Sequence, residues 1–209
     1  MSAPAGFIYL ASQSPRRRQL LEQLGVAYEL LLAREDEDAE AIEAVLPNEP
    51  PARYVARVTG LKLDAALARL QQRGLPPAPV LCSDTTVALG QRIYGKPHDA
   101  DDAARMLREL AGATHRVLTA VVVGEPPGQG GRRAQVLSTS RVTFEPLTAA
   151  QIASYVASGE PMGKAGAYAI QGRAAMHVTH ISGSYSGVMG LPLHETARLL
   201  AGFGIVCGV

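Results

Sequence analysis

Short apolar runs alternate with stretches of helical periodicity from one end of the chain to the other, the pattern of an α/β fold built around a largely buried sheet. Phe7 to Ala11 reads as a buried strand. Ser14-Pro15 then supplies an N-cap and a proline at the first helical position, opening a helix through Leu20, Leu21 and Leu24 that Gly25 closes. Tyr28 to Leu32 reads as a second strand, Glu35 to Glu43 as an acidic loop, and Pro51 to Gln72 as a helix with Gly60 as its weak point. Two strands, Val80 to Ser83 and Thr86 to Tyr94, are expected on either side of Asp84. An Ala-rich helix follows from Asp99 to Leu110, then a strand from Val117 to Val123, a Gly/Pro turn from Gly124 to Gly131 and a strand from Gln135 to Phe144. A helix from Ala149 to Ala157, a Gly-rich loop through Gly172, a short strand near His177 to Ile181 and a helix after Pro192 complete the pattern.

With 209 residues and 47% hydrophobic content, the chain can bury a sizeable core, and a single domain spanning residues 1–209 is expected. A charged fraction of 19% and a net charge of +1 exclude both a disordered acidic tail and a globally basic partner for a nucleic acid polymer. Any nucleotide chemistry must therefore be local. The two cysteines, Cys82 and Cys207, have neither zinc nor disulfide spacing, as suits a reducing compartment. The first eighteen residues place a basic cluster after a short apolar run, the reverse of a secretory signal, and no apolar run reaches membrane-span length. A soluble, cytoplasmic protein is expected.

Four constellations could carry chemistry. Ser12-Gln13-Ser14-Pro15-Arg16-Arg17 runs from a strand end into a helix N-terminus, where free backbone N–H groups favour an anion. Arginines in a first turn oppose the helix dipole, so bidentate binding of phosphate would give them a purpose; a capped surface helix with solvated arginines reads equally well from this motif alone. Ser83-Asp84-Thr85-Thr86 places a carboxylate at the end of an apolar strand, where a buried charge needs a partner, a hydrogen bond or a metal, although an Asp capping a turn is the commoner outcome. Gly90 and Gly95-Lys96 imitate a P-loop, but Pro97 replaces the hydroxyl residue that would bind magnesium, and the Walker reading fails. Ser158 to Gly172 combines glycines, Lys164 and the neutral amide of Gln171, allowing backbone to approach a flat ligand, with a loose surface loop as the alternative. Acidic residues Glu35 to Asp38 are by default solvated, yet an oxygen-rich cluster could hold magnesium. His98, His115, His177, His180 and His194 show no metal-binding spacing.

Taken in order, SQSPRRRQLL, SDTTV, YGKPHD, LAGATHRVLTAV, SGEPMGKAGAYAIQG and VMGLPL resemble the Maf septum-formation family over about residues 7 to 205. That resemblance implies a homodimeric mixed-sheet α/β protein with flanking helices, an inosine-triphosphatase-like fold and a central cleft that hydrolyses nucleoside triphosphates between the α- and β-phosphates. KAGAYAIQG is similar to the branch acting on dTTP and UTP, the sister branch acting on 7-methyl-GTP being the alternative. By position, the resemblance implies Asp84 as catalytic carboxylate; Arg16, Thr85 and Gln171 as specificity residues; Ser12, Arg17, Lys62, Lys96 and Lys164 as phosphate-binding positions; and Asp36 beside Asp84 as a ligand of Mg²⁺ or Mn²⁺. Departures from the family pattern are Gly163 in place of the usual Asp, Ser83 in place of Ala, Gly60 before Lys62, and Gly187 in place of Asn or a larger residue.

A triphosphate carries about four negative charges near pH 7. Arg16, Arg17, Lys96 and Lys164 supply a matching positive set, and phosphoryl transfer asks for positioning and charge neutralisation, with no nucleophilic side chain. A nucleotide-binding regulator of cell division that has lost turnover is the contrasting expectation, favoured only by the missing carboxylate at Gly163.

Overall fold

Ten consecutive residues, Val80–Leu89, form the strand on which the rest of the molecule is arranged. In the computed structural model, which describes residues 6–34 and 41–208, this strand is β3. The other strands are β1 (Ile8–Leu10), β2 (Tyr28–Leu30), β4 (Arg92–Tyr94), β5 (Thr114–Gly124), β6 (Arg133–Phe144) and β7 (Val178–Ser182). The helices are α1 (Pro15–Gln23), α2 (Pro51–Gln72), α3 (Ala100–Leu110), α4 (Ala149–Ala157), α5 (Tyr185–Met189) and α6 (Leu193–Ala201). The strands make one seven-stranded mixed sheet in the order β2-β1-β3-β5-β6-β7, with β4 on β3.

One edge of β3 pairs with β5 throughout, from Val80↔Gly124 to Ala88↔Arg116. The other edge changes partner. Parallel β1 covers it at Val80 and Leu81, and antiparallel β4 covers it from Val87 to Leu89. Between Leu81 and Val87 no strand among the described residues lies beside that edge.

Alternation along β3 divides its side chains between two faces. Val80, Cys82 and Ala88 meet α2, whose buried positions Tyr54, Val55, Val58, Leu63, Ala66 and Leu70 recur at helical spacing. On the opposite face, Leu81 joins Leu20, Leu21, Leu191 and Leu200 from the α1 and α6 side. Val87 on that face joins Met106 and Leu107 of α3, Ile152 and Tyr155 of α4, and Tyr168. Two helical packs thus sit at opposite ends of one face, with Ser83 and Thr85 between them.

Several expectations need correction. Asp84 does not end a strand: it lies in mid-strand, because β5 pairs continuously across Ser83–Thr86 and keeps the polar stretch extended. The expected strand from Thr86 to Tyr94 is broken at Gly90 (φ +60), which turns β3 into β4 as a hairpin, so the Gly90–Lys96 stretch has no P-loop geometry. The acidic loop is described only from residue 41, where Ala41–Glu43 form a 3₁₀ turn; Asp36 lies outside the described residues. His177 ends a 3₁₀ turn before β7, and its Nδ1 lies 2.8 Å from Glu145 Oε1. The short α5 was not anticipated. Its cap, Ser184, accepts from the Gly187 N–H, and a Cβ at Gly187 would come within 3.1 Å of Ser184 Cβ, so glycine suits that tight turn.

Gly60 is the one weak point in α2 that the fold does not require. A Cβ there meets no atom within 4 Å, and its φ is not positive. Gly60→Ala should therefore raise stability by about 0.5–1 kcal/mol through reduced unfolded-state freedom. A urea titration that shows no rise in midpoint would contradict this.

Candidate active site

The bare edge of β3 opens into a cleft of about 930 Å³. Ser12, Arg16, Arg17, Lys62, Asp84, Thr85, Lys96, Lys164 and Gln171 all line it, so residues spread over 160 positions converge on one cavity. Each comes from an identifiable element. Ser12 follows β1, Arg16 and Arg17 occupy the first turn of α1, and Lys62 lies on the sheet-facing stripe of α2. Asp84 and Thr85 sit on opposite faces of β3, Lys96 follows β4, and Lys164 and Gln171 flank a compact turn after α4.

The α1 motif folds as its residues dictate. Ser14 caps the helix by accepting from the Arg17 N–H, Pro15 occupies the first turn, and the Ser14 N–H donates to Ser12 Oγ. Both arginines reach a segment 173 residues away in sequence. Arg16 Nε donates to the Met189 carbonyl at 3.3 Å, and Arg17 Nε to the Gly190 carbonyl at 2.9 Å. Arg17 also donates to Ser12 Oγ at 3.3 Å and Thr85 Oγ1 at 3.4 Å. Gly190, at φ +118, ends α5, and a Cβ there would lie 3.4 Å from Arg17 Nε. Ser83 Oγ donates to the same Gly190 carbonyl at 2.9 Å, which gives this buried serine a partner. Burial lowers the pKa of Arg17, opposed by the charge of Asp84.

On the other side of β3, Lys62 Nζ contacts Asp84 Oδ1 at 2.5 Å and Glu43 Oε1 at 2.7 Å. Burial pulls the lysine pKa down, but the two carboxylates outweigh it and hold the ammonium charged. Glu43 also accepts from Lys96 at 3.4 Å, and these lysines hold its pKa below the ordinary range against its burial. Glu43 was not singled out in the sequence. It stands 19 residues before Lys62, a separation with no helical or strand meaning, and only the contact between the 3₁₀ turn and α2 brings it in. Tyr54, another unforeseen lining residue, donates to the Glu43 carbonyl at 3.0 Å, and burial first, then Asp84 and Glu43, push its hydroxyl up to about 12.

The Gly-rich segment forms the third wall. Gly166, at φ +70, donates its N–H to the Gly95 carbonyl, and a Cβ there would press within 2.8 Å of Val87. Tyr168 Oη lies 2.8 Å from Nε2 of the buried His115, and both rings pack edge-on against Phe144. Tyr155 Oη and the Arg173 N–H both donate to the Glu160 carboxylate, which closes against Gly172. These contacts hold the backbone on either side of Gln171 while leaving that side chain exposed to the cleft. Lys164 is partly buried, and burial followed by the nearby Arg16 lowers its pKa.

Among the described residues, no group of three or more His, Cys, Asp and Glu side chains forms a ready metal cage. Asp84 and Glu43 nevertheless supply hard oxygen donors on two sides of Lys62. Magnesium held by one or two carboxylates and completed by substrate phosphates suits such a donor set.

The profile of the Maf-like protein family matches residues 7–203. The chain belongs to the Maf-like protein family. Among curated relatives, the dTTP/UTP pyrophosphatase of Polaromonas sp. (strain JS666 / ATCC BAA-500) is 69% identical over 96% of this chain and 98% of its own length. That of Albidiferax ferrireducens is 69% identical over 95% of this chain and 97% of its own. The relative from Cupriavidus metallidurans, of the same name, is 64% identical over 95% and 97%.

Gly163 has φ +70, and a Cβ there meets nothing within 4 Å. Aspartate is among the side chains that best tolerate this backbone region, at a cost of about 1 kcal/mol. Gly163→Asp, which supplies the carboxylate expected at this position from the sequence resemblance, should leave turnover unchanged or raise it. A large drop in the folded variant, measured by steady-state kinetics, would show a cleft adapted to glycine.

Proposed function

We propose that this protein hydrolyses dTTP and UTP with water to the nucleoside monophosphate and pyrophosphate, breaking the bond between the α-phosphorus and the bridging oxygen to the β-phosphate. The observation that carries this reading is Asp84 in a cationic cleft. Its carboxylate is 13% exposed, ion-paired to Lys62, and shares the cleft with Arg16, Arg17, Lys96 and Lys164. The relatives, named dTTP/UTP pyrophosphatases, support the base preference. Phosphoryl transfer gains most from groups that neutralise the developing charge and hold the nucleophile in line. In this assignment Ser12, Arg17, Lys62, Lys96 and Lys164 bind the phosphates and Asp84 orients the attacking water and accepts its proton. Arg16, Thr85 and Gln171 stand on the base side. Mg²⁺ or Mn²⁺, held by Asp84 with Glu43 or Asp36, would neutralise phosphate charge.

The enzyme is further proposed to act as a single domain over the whole chain, as a homodimer, and in the cytoplasm. No described helix is long and apolar enough to cross a membrane, and both cysteines are unpaired, with burial pushing the Cys82 thiol up to about 12.

The reading is tested by phosphate release with and without added inorganic pyrophosphatase across a nucleotide panel. Asp84→Asn keeps the shape but removes the charge, and it should lose at least roughly a hundredfold in turnover. Near-wild-type turnover in a folded Asp84→Asn protein would remove Asp84 from the chemistry.

Uracil and thymine present an N–H flanked by carbonyls, and the Gln171 amide can accept from the first and donate to one of the second. Gln171→Glu loses that donor and sets a carboxylate against a carbonyl, at about 1–3 kcal/mol, or roughly tenfold or more in kcat/KM for UTP. UTP and dTTP should fall relative to CTP. An equal proportional fall for all three would mean that Gln171 supports the loop without reading the base.

A further inference from the structure

The stretch Leu110 to Val121 belongs to the family pattern yet supplies almost nothing to the cleft surface. Thr119, on β5, is 1% exposed and stands one layer behind Thr85, its cross-strand neighbour. Its hydroxyl donates to the Gly187 carbonyl at 2.7 Å and lies 2.9 Å from Thr85 Oγ1. A hydroxyl has one proton to give. With the Thr119 proton on Gly187, Thr85 must be the donor between the two threonines. Thr85 Oγ1 in turn accepts from Arg17 Nη2. The series therefore has one direction: Arg17 N–H to Thr85, Thr85 to Thr119, Thr119 to the Gly187 carbonyl. Each member polarises the next.

We infer that Thr119 is a positioning residue, which through Thr85 fixes the Arg17 guanidinium where substrate phosphate is bound. The inference rests on the proposed reading of Arg17 as a phosphate ligand. It also changes the part given to Thr85. The single proton of that hydroxyl is committed to Thr119, so Thr85 orients Arg17 and has none left for a base carbonyl. The geometry shows why an inward-facing hydroxyl is needed at position 119. Among the described residues, Arg17 is otherwise held by hydrogen bonds to Ser12 and the Gly190 carbonyl, and Gly190 belongs to the same α5 segment that Thr119 ties down through Gly187. One buried hydroxyl thus secures two of the three supports of the guanidinium, the Thr85 hydroxyl and the α5 segment.

The test uses inorganic pyrophosphate as the probe, titrated calorimetrically into wild type, Thr119→Val, Thr119→Ser, Thr85→Val and the double valine variant, with UTP kinetics alongside. Thr119→Val keeps shape and should weaken pyrophosphate binding about five- to tenfold, the worth of about one hydrogen bond. KM for UTP should rise by a similar factor, with a smaller change in kcat. Thr119→Ser, which restores the hydroxyl, should return to within about twofold of wild type, and Thr119→Val should add little to Thr85→Val, because the two act in series. Unchanged pyrophosphate affinity in Thr119→Val with only a lower melting temperature would overturn the inference. Failure of serine to rescue, or fully additive losses, would do so too. If Thr119→Val does not fold, Thr85→Val breaks the same series, and its pyrophosphate affinity decides. A wild type that binds pyrophosphate but releases none from UTP or dTTP would overturn the hydrolytic reading alone, whereas one that releases pyrophosphate from UTP but does not bind it would overturn the inference alone.

Discussion

The cleft exists because β3 is longer than the strands on one of its edges. β5 supports it over its whole length, so it stays extended through the polar residues Ser83 to Thr86, while β1 and β4 each cover only one end of the opposite edge. An interior sheet edge left bare exposes unpaired backbone groups, which are tolerated where solvent or a ligand can meet them. The alternation of β3 then turns Asp84 toward α2 and Ser83 and Thr85 toward α1 and α5, so one strand serves both walls.

Burying like charges together would be prohibitive without compensation, and the cleft compensates in two different ways. Around Asp84 the compensation is ionic: Lys62 bridges Asp84 and Glu43, and Glu43 extends the network to Lys96. Such an arrangement contributes little net stability, since desolvation of the ions offsets their attraction, but removing one partner strands the others. Around Arg16 and Arg17 the compensation is dipolar, from the carbonyls of Met189 and Gly190 and the hydroxyls of Ser12 and Thr85. A guanidinium satisfied by neutral oxygens keeps its charge available to an incoming anion, while one locked to a carboxylate would not.

The Gly-rich wall shows the same economy. Gly166 lets the backbone rest on Val87, Tyr168 anchors it to His115 in the core, and Glu160 ties its far end to Gly172 and Arg173. Burial holds His115 neutral, with its pKa lowered to about 4, so this anchor keeps one protonation state across the neutral range. These contacts fix the backbone on both sides of the exposed Gln171 and leave its amide free to face the cleft.

The sequence by itself determined the order of the main helices and strands, the cap at Ser14 with its proline, the rejection of a P-loop, and, Asp36 apart, the polar residues that line one cleft. Each of these is local: periodicity, capping and turn chemistry act over a few residues and leave a direct trace in the chain. Tertiary structure alone decided that Asp84 lies in mid-strand, that Glu43 bridges Lys62 and Lys96, that Met189 and Gly190 hold the arginines, and that Thr119 stands behind Thr85. Strand pairing and partner choice for a buried charge depend on groups brought together from tens to well over a hundred positions apart. A single chain records which residues can donate or accept, and only packing fixes which of them meet.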